Sequence, residues 1–293
     1  MADFKNSTIL VTGASGNLGR IVVDTLLAQG ATKVIAGTRD PAKLADLSAK
    51  GVEVRALDFE AAATLPAAFA GVDRVLIIST DAIGSRIAQH KAAVAAATQA
   101  GVKHIVYTSA PSPRPNPGTG VSPEHYWTEI AIAASGLDFT FLRNHIYAEI
   151  TLLGAGHAIS SGHLYDATNG RGRSYLTRAD AARTAAGALL TAEGQTIYDV
   201  TGPAAITQAE LAAEFAKFSG KPVERVGLTG EQLRGGLIAA GLPEGMADVM
   251  VAFDLDAAEG SHAIVTDTVK HFTGSEPQSL ADFLTENRAA LTA

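Results

Sequence analysis

The chain has 293 residues, with 23 Lys and Arg against 30 Asp and Glu, and it has no cysteine. The missing cysteines exclude a disulfide framework, a thiol nucleophile and cysteine-ligated zinc or iron–sulfur sites. A net charge of −7 without a basic run argues against a nucleic-acid partner, which would be held through its phosphates. The charge is uneven, because residues 1–143 carry 13 basic and 12 acidic side chains whereas residues 144–293 carry 10 and 18.

The first half alternates short β-branched runs with helical patterns. The strand-like runs at 8–11, 33–36, 52–56, 74–78, 104–107 and 139–142 are almost entirely apolar, as in strands that helices cover on both faces. Helical patterns lie between them at 17–29, 41–50, 85–100 and 123–135. This alternation predicts an α/β fold with a doubly wound parallel sheet of the Rossmann type.

The pattern changes after residue 143. Residues 144–175 show only weak periodicity, and further helices are predicted at 177–191, 207–219, 229–240, 243–259 and 277–292. We predict two domains: 1–143 with a returning strand near 196–200, and a smaller, mostly helical substrate-binding domain over 144–293. The proline-rich run 111–117 is predicted to be a loop. An exposed apolar helix in the second half is compatible with a homodimer.

No stretch of the sequence resembles a targeting or membrane segment. The N-terminal residues lack a long apolar run, so we expect no signal peptide. No apolar run approaches the roughly 20 residues of a spanning helix. We therefore expect a cytoplasmic chain without a membrane partner.

A glycine-rich loop follows the first predicted strand, where the sequence reads Val11-Thr12-Gly13-Ala14-Ser15-Gly16-Asn17-Leu18-Gly19. Glycines at this spacing permit a tight turn, a close approach of backbone to pyrophosphate, and close packing of helix on strand. The start of the helix offers free N–H groups to phosphates. A glycine turn that serves packing alone is the alternative. We predict a dinucleotide site that includes Gly13, Ser15, Gly16, Asn17, Leu18 and Gly19.

The end of the second predicted strand bears on the choice between NAD and NADP. Arg39 lies 20 residues after Gly19, where an arginine can bind a 2′-phosphate, and Lys43 can add charge. Asp40 resembles the acid of an NAD site, but Asp followed by Pro41 is also a typical helix N-cap. We therefore predict NADP(H) as the cofactor, the alternative for Arg39 being a solvated surface cation.

Later strand ends supply further candidates. Asp58 and Phe59 follow the third strand, where an adenine would lie, although Asp58 also fits a helix cap. Ile78, Ser79 and Thr80 end the fourth strand and would line the nicotinamide ribose, or their hydroxyls would serve as caps.

A short-chain dehydrogenase would normally use Tyr with Lys four residues later, because the Lys lowers the phenol pKa for acid–base work. None of the six tyrosines has Lys at that position. This absence argues against ordinary alcohol–ketone interconversion.

The sequence resembles the NmrA-like atypical short-chain dehydrogenases, in the branch of NAD(P)H:quinone oxidoreductase type 2 and triphenylmethane reductase. The matching segments, which span nearly the full chain, are 11–19, Arg39 with 41–43, 51–55, 101–109, 124–125, 128–129, 142–144, 177–180 and 239–247. The resemblance implies a cofactor held by the glycine loop, Arg39, and residues near Ser79, Thr108 and Ser109. It also implies hydride transfer to a planar, electron-poor acceptor between the domains, near Asn144, with Ile83 and Tyr147 as candidate pocket walls. Tyr147 fits helix packing equally well.

His125, Tyr126 and Trp127 leave the proton donor open. His125 stands where some NmrA-like reductases carry Lys, although pairing with Glu129 on the same helix turn is a simpler role for it. Tyr126 and Trp127 depart from the branch pattern and indicate a larger aromatic or carbonyl substrate, Trp127 lining its site. We hypothesise that His125 or Tyr126 supplies a hydrogen bond to the substrate oxygen.

Together these features predict an NADPH-dependent reductase of quinone-like acceptors. One alternative is an NADPH-dependent ketone or aldehyde reductase, and another is a regulator that senses NADP(H) without turnover. The acidic second half disfavours an anionic acceptor. The remaining histidines show no ligand spacing, so we expect no metal site.

Overall fold

The computed structural model describes residues 3–115 and 121–292. Its strands are β1 (Thr8–Val11), β2 (Lys33–Thr38), β3 (Glu53–Ala56), β4 (Arg74–Ile77), β5 (His104–Ser109), β6 (Asp138–Asn144), β7 (His163–Asp166), β8 (Arg173–Ser174), β9 (Gln195–Val200), β10 (Ala205–Ile206) and β11 (Glu224–Gly227). Seven of them form one parallel sheet in the order β3-β2-β1-β4-β5-β6-β9. The predicted doubly wound parallel sheet is confirmed.

The helices follow the strands in alternation through the first half. They are α1 (Asn17–Ala28), α2 (Ala45–Ala49), α3 (Leu65–Phe69), α4 (Arg86–Gln99), α5 (Ser122–Ala133), α6 (Ile150–Ser161), α7 (Arg178–Thr191), α8 (Gln208–Ser219), α9 (Gly230–Ala239), α10 (Glu244–Ala258), α11 (Thr268–Thr273), α12 (Leu280–Glu286) and α13 (Arg288–Thr292). Short 3₁₀ turns at Pro41–Leu44 and Ala62–Thr64 precede α2 and α3.

Two apolar layers cover the sheet, one on each face. Side chains of α1, α2, α7 and α11 form one buried cluster with the sheet, and those of α3, α4 and α5 form the other. Because strands such as β1 and β4 are enclosed on both faces, their sequences are continuous apolar runs rather than alternating ones.

Helix α7 packs on the sheet, although it follows the predicted domain boundary at 143 in the sequence. This helix packs along α1, and its Gly187 approaches α11 so closely that an added Cβ would lie 2.3 Å from the carbonyl oxygen of Phe272. The buried Arg74 of β4 donates from Nη2 to the carbonyl oxygen of Ala192 (2.6 Å), near the end of α7. The sheet unit therefore includes α7, β9 and α11.

The rest of the second half forms smaller clusters outside the sheet unit. Buried residues of α6, α8, α12 and α13 form one cluster, and β7, α9 and α10 surround a smaller one. Helix α6 arises in the segment that showed only weak periodicity, and α11 was also missed. The predicted helix at 277–292 is two helices that meet at Asn287.

Two further expectations concern chain segments. The proline-rich run is described as far as Pro115 and is irregular there, as predicted, while its remainder lies outside the described residues. Within the described ranges, no helix has the length and apolar character needed to cross a membrane.

Candidate active site

A cleft of about 710 Å³ opens at the carboxyl ends of β1 to β5. It lies where the order of the strands reverses between β1 and β4, which is the ligand site of open α/β sheets. Most of the predicted cofactor residues line it: Gly13, Ser15, Gly16, Asn17, Leu18, Arg39, Lys43, Asp58, Phe59, Ile78, Ser79, Thr80 and Thr108. Tyr147, predicted as a pocket wall, lines the same cleft.

The glycine loop is shaped by contacts that leave no room for side chains. Gly13 has a φ of +62°, which favours glycine. A Cβ on Gly19 would lie 2.3 Å from the carbonyl oxygen of Gly13, and one on Gly16 would lie 3.3 Å from it. Gly16 caps α1 without a side-chain hydrogen bond, so the first N–H groups of the helix stay free for a ligand.

The end of β2 presents two uncommitted cations. Arg39 and Lys43 are exposed at the cleft, and neither forms an ion pair with a residue in the described ranges. Asp40 instead caps the turn that Pro41 begins, accepting from the N–H of Ala42 (3.1 Å). The structural role inferred for Asp40 is therefore confirmed.

A chain of hydrogen bonds crosses the end of the cleft below β3 and β4. The Thr80 hydroxyl donates to Gln89 Oε1 (2.8 Å), and Gln89 Nε2 donates to Glu60 Oε1 (3.1 Å). Asp58 accepts from the N–H of Glu60 (3.0 Å), so its carboxylate serves a local turn and still faces the cleft. Burial lowers the pKa of the neighbouring His90 to about 4, so this ring is neutral where its Nε2 accepts from the Thr80 N–H.

The other end of the cleft is lined by Thr108 of β5 and by Tyr147 and Arg178. The Thr108 hydroxyl accepts from the N–H of Ser79 (2.9 Å) and so fixes the end of β4. Asn144, at the end of β6, donates from Nδ2 to the Tyr147 hydroxyl (3.1 Å), while its buried Oδ1 has no recorded partner. The guanidinium of Arg178, at the start of α7, lies 5.4 Å from the centre of the Tyr147 ring.

Ser109 does not reach the cleft as a ligand, because its hydroxyl donates to Glu129 Oε1 (2.7 Å). The same carboxylate accepts from Arg143 Nε (3.0 Å) and Nη2 (2.8 Å). The expected pairing of His125 with Glu129 is therefore wrong: Arg143 reaches Glu129 from β6, and a bidentate guanidinium is the stronger partner. His125 instead bonds the Tyr107 hydroxyl through Nδ1 (2.8 Å).

His125 is enclosed in the protein interior. It is 5 % exposed, and burial lowers its pKa to about 3, so near neutral pH the ring is a neutral imidazole and not an imidazolium acid. Tyr126 is half-buried and packs edge-on against the exposed Trp127, with ring centres 5.2 Å apart. Ile83 is exposed on the loop after β4. None of these four is among the described residues that line the cleft.

Sequence reasoning missed several lining residues. Two of them, Arg86 and Arg178, stand at helix starts, and the others include Thr38, Gln89 and Glu60. Arg178 lies within a segment that carries the family resemblance, and this was the available signal. No sequence signal pointed to Arg86. Its position at the cleft depends on the preceding loop, which is held by the hydrogen bond from the Gly84 N–H to Glu124 Oε1 (2.8 Å).

No group of three or more metal-ligating side chains comes together within residues 3–115 and 121–292.

Comparison with known proteins identifies the family and supports the fold. Residues 13–192 match a family described as NAD(P)H-binding. The chain belongs to this family. It is 36 % identical to quinone oxidoreductase 2 of Escherichia coli over 277 residues, 94 % of this chain and 96 % of that one. It is 32 % identical to NAD(P)H azoreductase of Xenophilus azovorans over 97 % of this chain and 99 % of that one.

Solved structures agree with the sequence comparison. The E. coli quinone oxidoreductase bound to NADPH superimposes with a TM-score of 0.90 at 35 % identity, covering 96 % of this chain and 99 % of that one. Triphenylmethane reductase of Citrobacter, bound to NADP(H), gives 0.87 at 31 % identity, covering 95 % and 99 %. The resemblance to this branch of NmrA-like proteins is confirmed, and the chain is an NAD(P)H-dependent reductase of that branch.

The residues of the cleft fit a dinucleotide cofactor on their own geometry. The loop from Gly13 to Gly19 forms a cradle in which a Cβ on Gly19 would clash with the Gly13 carbonyl, and the start of α1 lies at this cradle. Arg39 and Lys43 provide uncommitted positive charge on one side of this cradle. Asp58 lines the cleft and offers an acceptor for an adenine amine, whereas Asn144 is not among the described residues that line it.

Proposed function

We propose that this protein transfers a hydride from NADPH to a planar, electron-poor acceptor, a quinone or a related dye. The observation that carries the proposal is a single cleft with a phosphate cradle and uncommitted cations at one end and the aromatic ring of Tyr147 at the other. The relatives named as quinone oxidoreductase and azoreductase, which span nearly all of the chain, support the same class of acceptor.

The chain's own residues chiefly bind the cofactor and position the acceptor against it. The N–H groups at the start of α1 and the cations Arg39 and Lys43 would hold the phosphates of the cofactor, which when bound supplies a hydride. The ring of Tyr147 and the backbone near Ile78 limit the acceptor to a flat shape. Holding two reactants in contact and excluding water accounts for most of the rate expected from such a site.

The preference for NADPH over NADH is assigned to Arg39, because a guanidinium binds a 2′-phosphate with paired hydrogen bonds. We expect Arg39→Ala to weaken NADPH binding about 30-fold, equivalent to the loss of a charged hydrogen bond of about 2 kcal/mol. NADH binding should stay within about twofold, and titration of NAD(P)H fluorescence measures both.

The matched control is Arg171→Ala, which removes an exposed cation that does not line the cleft. It should leave both affinities unchanged. Equal weakening of NADPH and NADH in Arg39→Ala would contradict the assignment to the 2′-phosphate.

The acceptor class is tested by following NADPH oxidation with a benzoquinone, a cationic triphenylmethane dye and a simple ketone. We expect turnover with the quinone and the dye. Turnover with the ketone, and its reversal by the alcohol, would instead identify a carbonyl reductase. Tight NADPH binding without oxidation by any acceptor would identify a cofactor sensor.

Three other expectations stay predictions. They are a role for Tyr126 at the acceptor, a homodimer, and a cytoplasmic location. The exposed Met246, Met250 and Leu255 of α10 are the side chains that a homodimer contact on this helix would cover.

A further inference from the structure

Tyr147 is held rigidly at the edge of the cleft. It lies three residues after β6, and a bridge pairs it with Leu176. The N–H of Leu176 donates to the Ile146 carbonyl (2.9 Å), and the N–H of Ala148 donates to the Leu176 carbonyl (2.9 Å). The backbone on both sides of Tyr147 is therefore fixed, which gives its ring a defined position in the wall of the cleft.

The hydroxyl of Tyr147 is an acceptor on one side and a free donor on the other. Asn144 donates to it from Nδ2 at 3.1 Å, and Asn144 is itself buried. Within residues 3–115 and 121–292, no acceptor is recorded for the Tyr147 proton. A hydroxyl group placed this way can donate to a ligand that enters the cleft.

The surroundings of the phenol act on its pKa in opposite directions. Burial raises its pKa, so the group is protonated in the resting protein. The Asn144 amide and the Arg178 cation lower that pKa, because both stabilise a phenolate, whereas the carboxylate of Glu149 opposes them. Glu149 accepts a hydrogen bond from the backbone N–H of Arg178 (3.0 Å), at the start of α7.

We propose that Tyr147 is the catalytic acid that protonates the oxygen of a reduced acceptor, with Asn144 and Arg178 as its positioning residues. This proposal rests on the proposed function. Reduction of a quinone requires one hydride and one proton. NADPH would supply the hydride and become NADP⁺, and the Tyr147 hydroxyl would transfer its proton to the quinone oxygen. The phenolate then regains a proton from water in the open cleft. A triphenylmethane cation takes the hydride at carbon and needs no proton.

The two acceptor classes provide the test. In Tyr147→Phe we expect kcat/KM for the quinone to fall about 100-fold, the usual contribution of an acid catalyst. The value for the cationic dye should change less than about threefold, because its reduction needs no acid. The wild-type protein should show a solvent deuterium isotope effect with the quinone that is absent with the dye, and Tyr147→Phe should lose it.

The matched control is Tyr165→Phe, which removes the hydroxyl of an exposed tyrosine in β7 and should leave both rates unchanged. NADPH affinity and the urea midpoint verify that Tyr147→Phe is folded. Equal losses with quinone and dye, or an unchanged quinone rate, would overturn the acid role while leaving the proposed function intact. Absence of turnover in the wild type with every acceptor, despite NADPH binding, would overturn the proposed function and the acid role together.

Discussion

Gly19 tests whether the shape of the glycine loop, rather than its composition, holds the cofactor. The residue lies in the first turn of α1, and a Cβ there would lie 2.3 Å from the Gly13 carbonyl oxygen and 2.9 Å from the Ala14 Cα. Ordinary contacts of a side-chain carbon are near 3.5 Å, so the loop or the helix must move by about 1 Å in Gly19→Ala. The atoms in the way are backbone, which cannot rotate aside.

Two opposing effects determine how much stability the Gly19→Ala variant loses. Forcing a methyl group into a filled space costs about 2 kcal/mol, and replacing glycine by alanine inside a helix returns about 1 kcal/mol. The net destabilisation is therefore small, about 1 kcal/mol. The displacement falls on the phosphate cradle, however, so NADPH affinity should drop at least tenfold, which corresponds to about 1.4 kcal/mol.

Urea unfolding and NADPH titration separate the two effects, and Gly156→Ala is the matched control. Gly156 lies inside α6, and a Cβ there meets nothing within 4 Å. This variant should gain up to about 1 kcal/mol in the free energy of unfolding and bind NADPH normally. Wild-type NADPH affinity in Gly19→Ala would refute the argument that the close contact shapes the cradle.

Two further predictions concern buried polar groups of the sheet unit. Glu129→Gln removes the charge that pairs with Arg143, and we expect it to lower the free energy of unfolding by about 3 kcal/mol; a loss below about 1 kcal/mol in urea unfolding would contradict this. His104 is buried and its pKa is lowered to about 3, so the unfolded chain binds a proton that the folded chain does not. Stability from this group is complete above pH 6.5 and is lost as the pH falls towards 3, with a slope of about 1.4 kcal/mol per pH unit, and His104→Gln should flatten that slope in unfolding measurements at several pH values. An unchanged slope in this variant would show that His104 does not carry the effect.

The sheet and the cofactor loop could be predicted because their signals are local. A strand enclosed on both faces is mainly apolar, and β1, β2 and β4 each contain at least three consecutive apolar residues. The turn at Gly13 and the packing of Gly19 each require glycine, so the spacing itself carries the geometry. The cap that Asp40 forms on the turn beginning at Pro41 is equally local, because Asp40 accepts from the N–H of Ala42 two residues later.

The features that could not be predicted depend on contacts between segments that are far apart in the sequence. Helix α6 contains Gly154 and Gly156 and has no clear apolar stripe, so its stability depends on packing against β7, α8 and α13. The partner of Glu129 could not be read from its own helix, because Arg143 arrives from β6. Likewise, α7 looked like part of the second domain until its contacts with α1 and β4 were known.

The net charge of the second half, counted from the sequence, likewise differs from the charge that the structure places around the cleft. Its excess of acids disfavoured an anionic acceptor, yet several of these acids are bound to arginines, including Asp166 to Arg225 and Asp254 to Arg173. The described wall of the cleft instead carries four cations, Arg39, Lys43, Arg86 and Arg178, against three acids, Asp58, Glu60 and Asp81. Charge that is paired elsewhere does not act on a ligand in the cleft, because paired and screened charges have little field at a distance. The net charge of the second half therefore gives no ground for excluding an anionic acceptor.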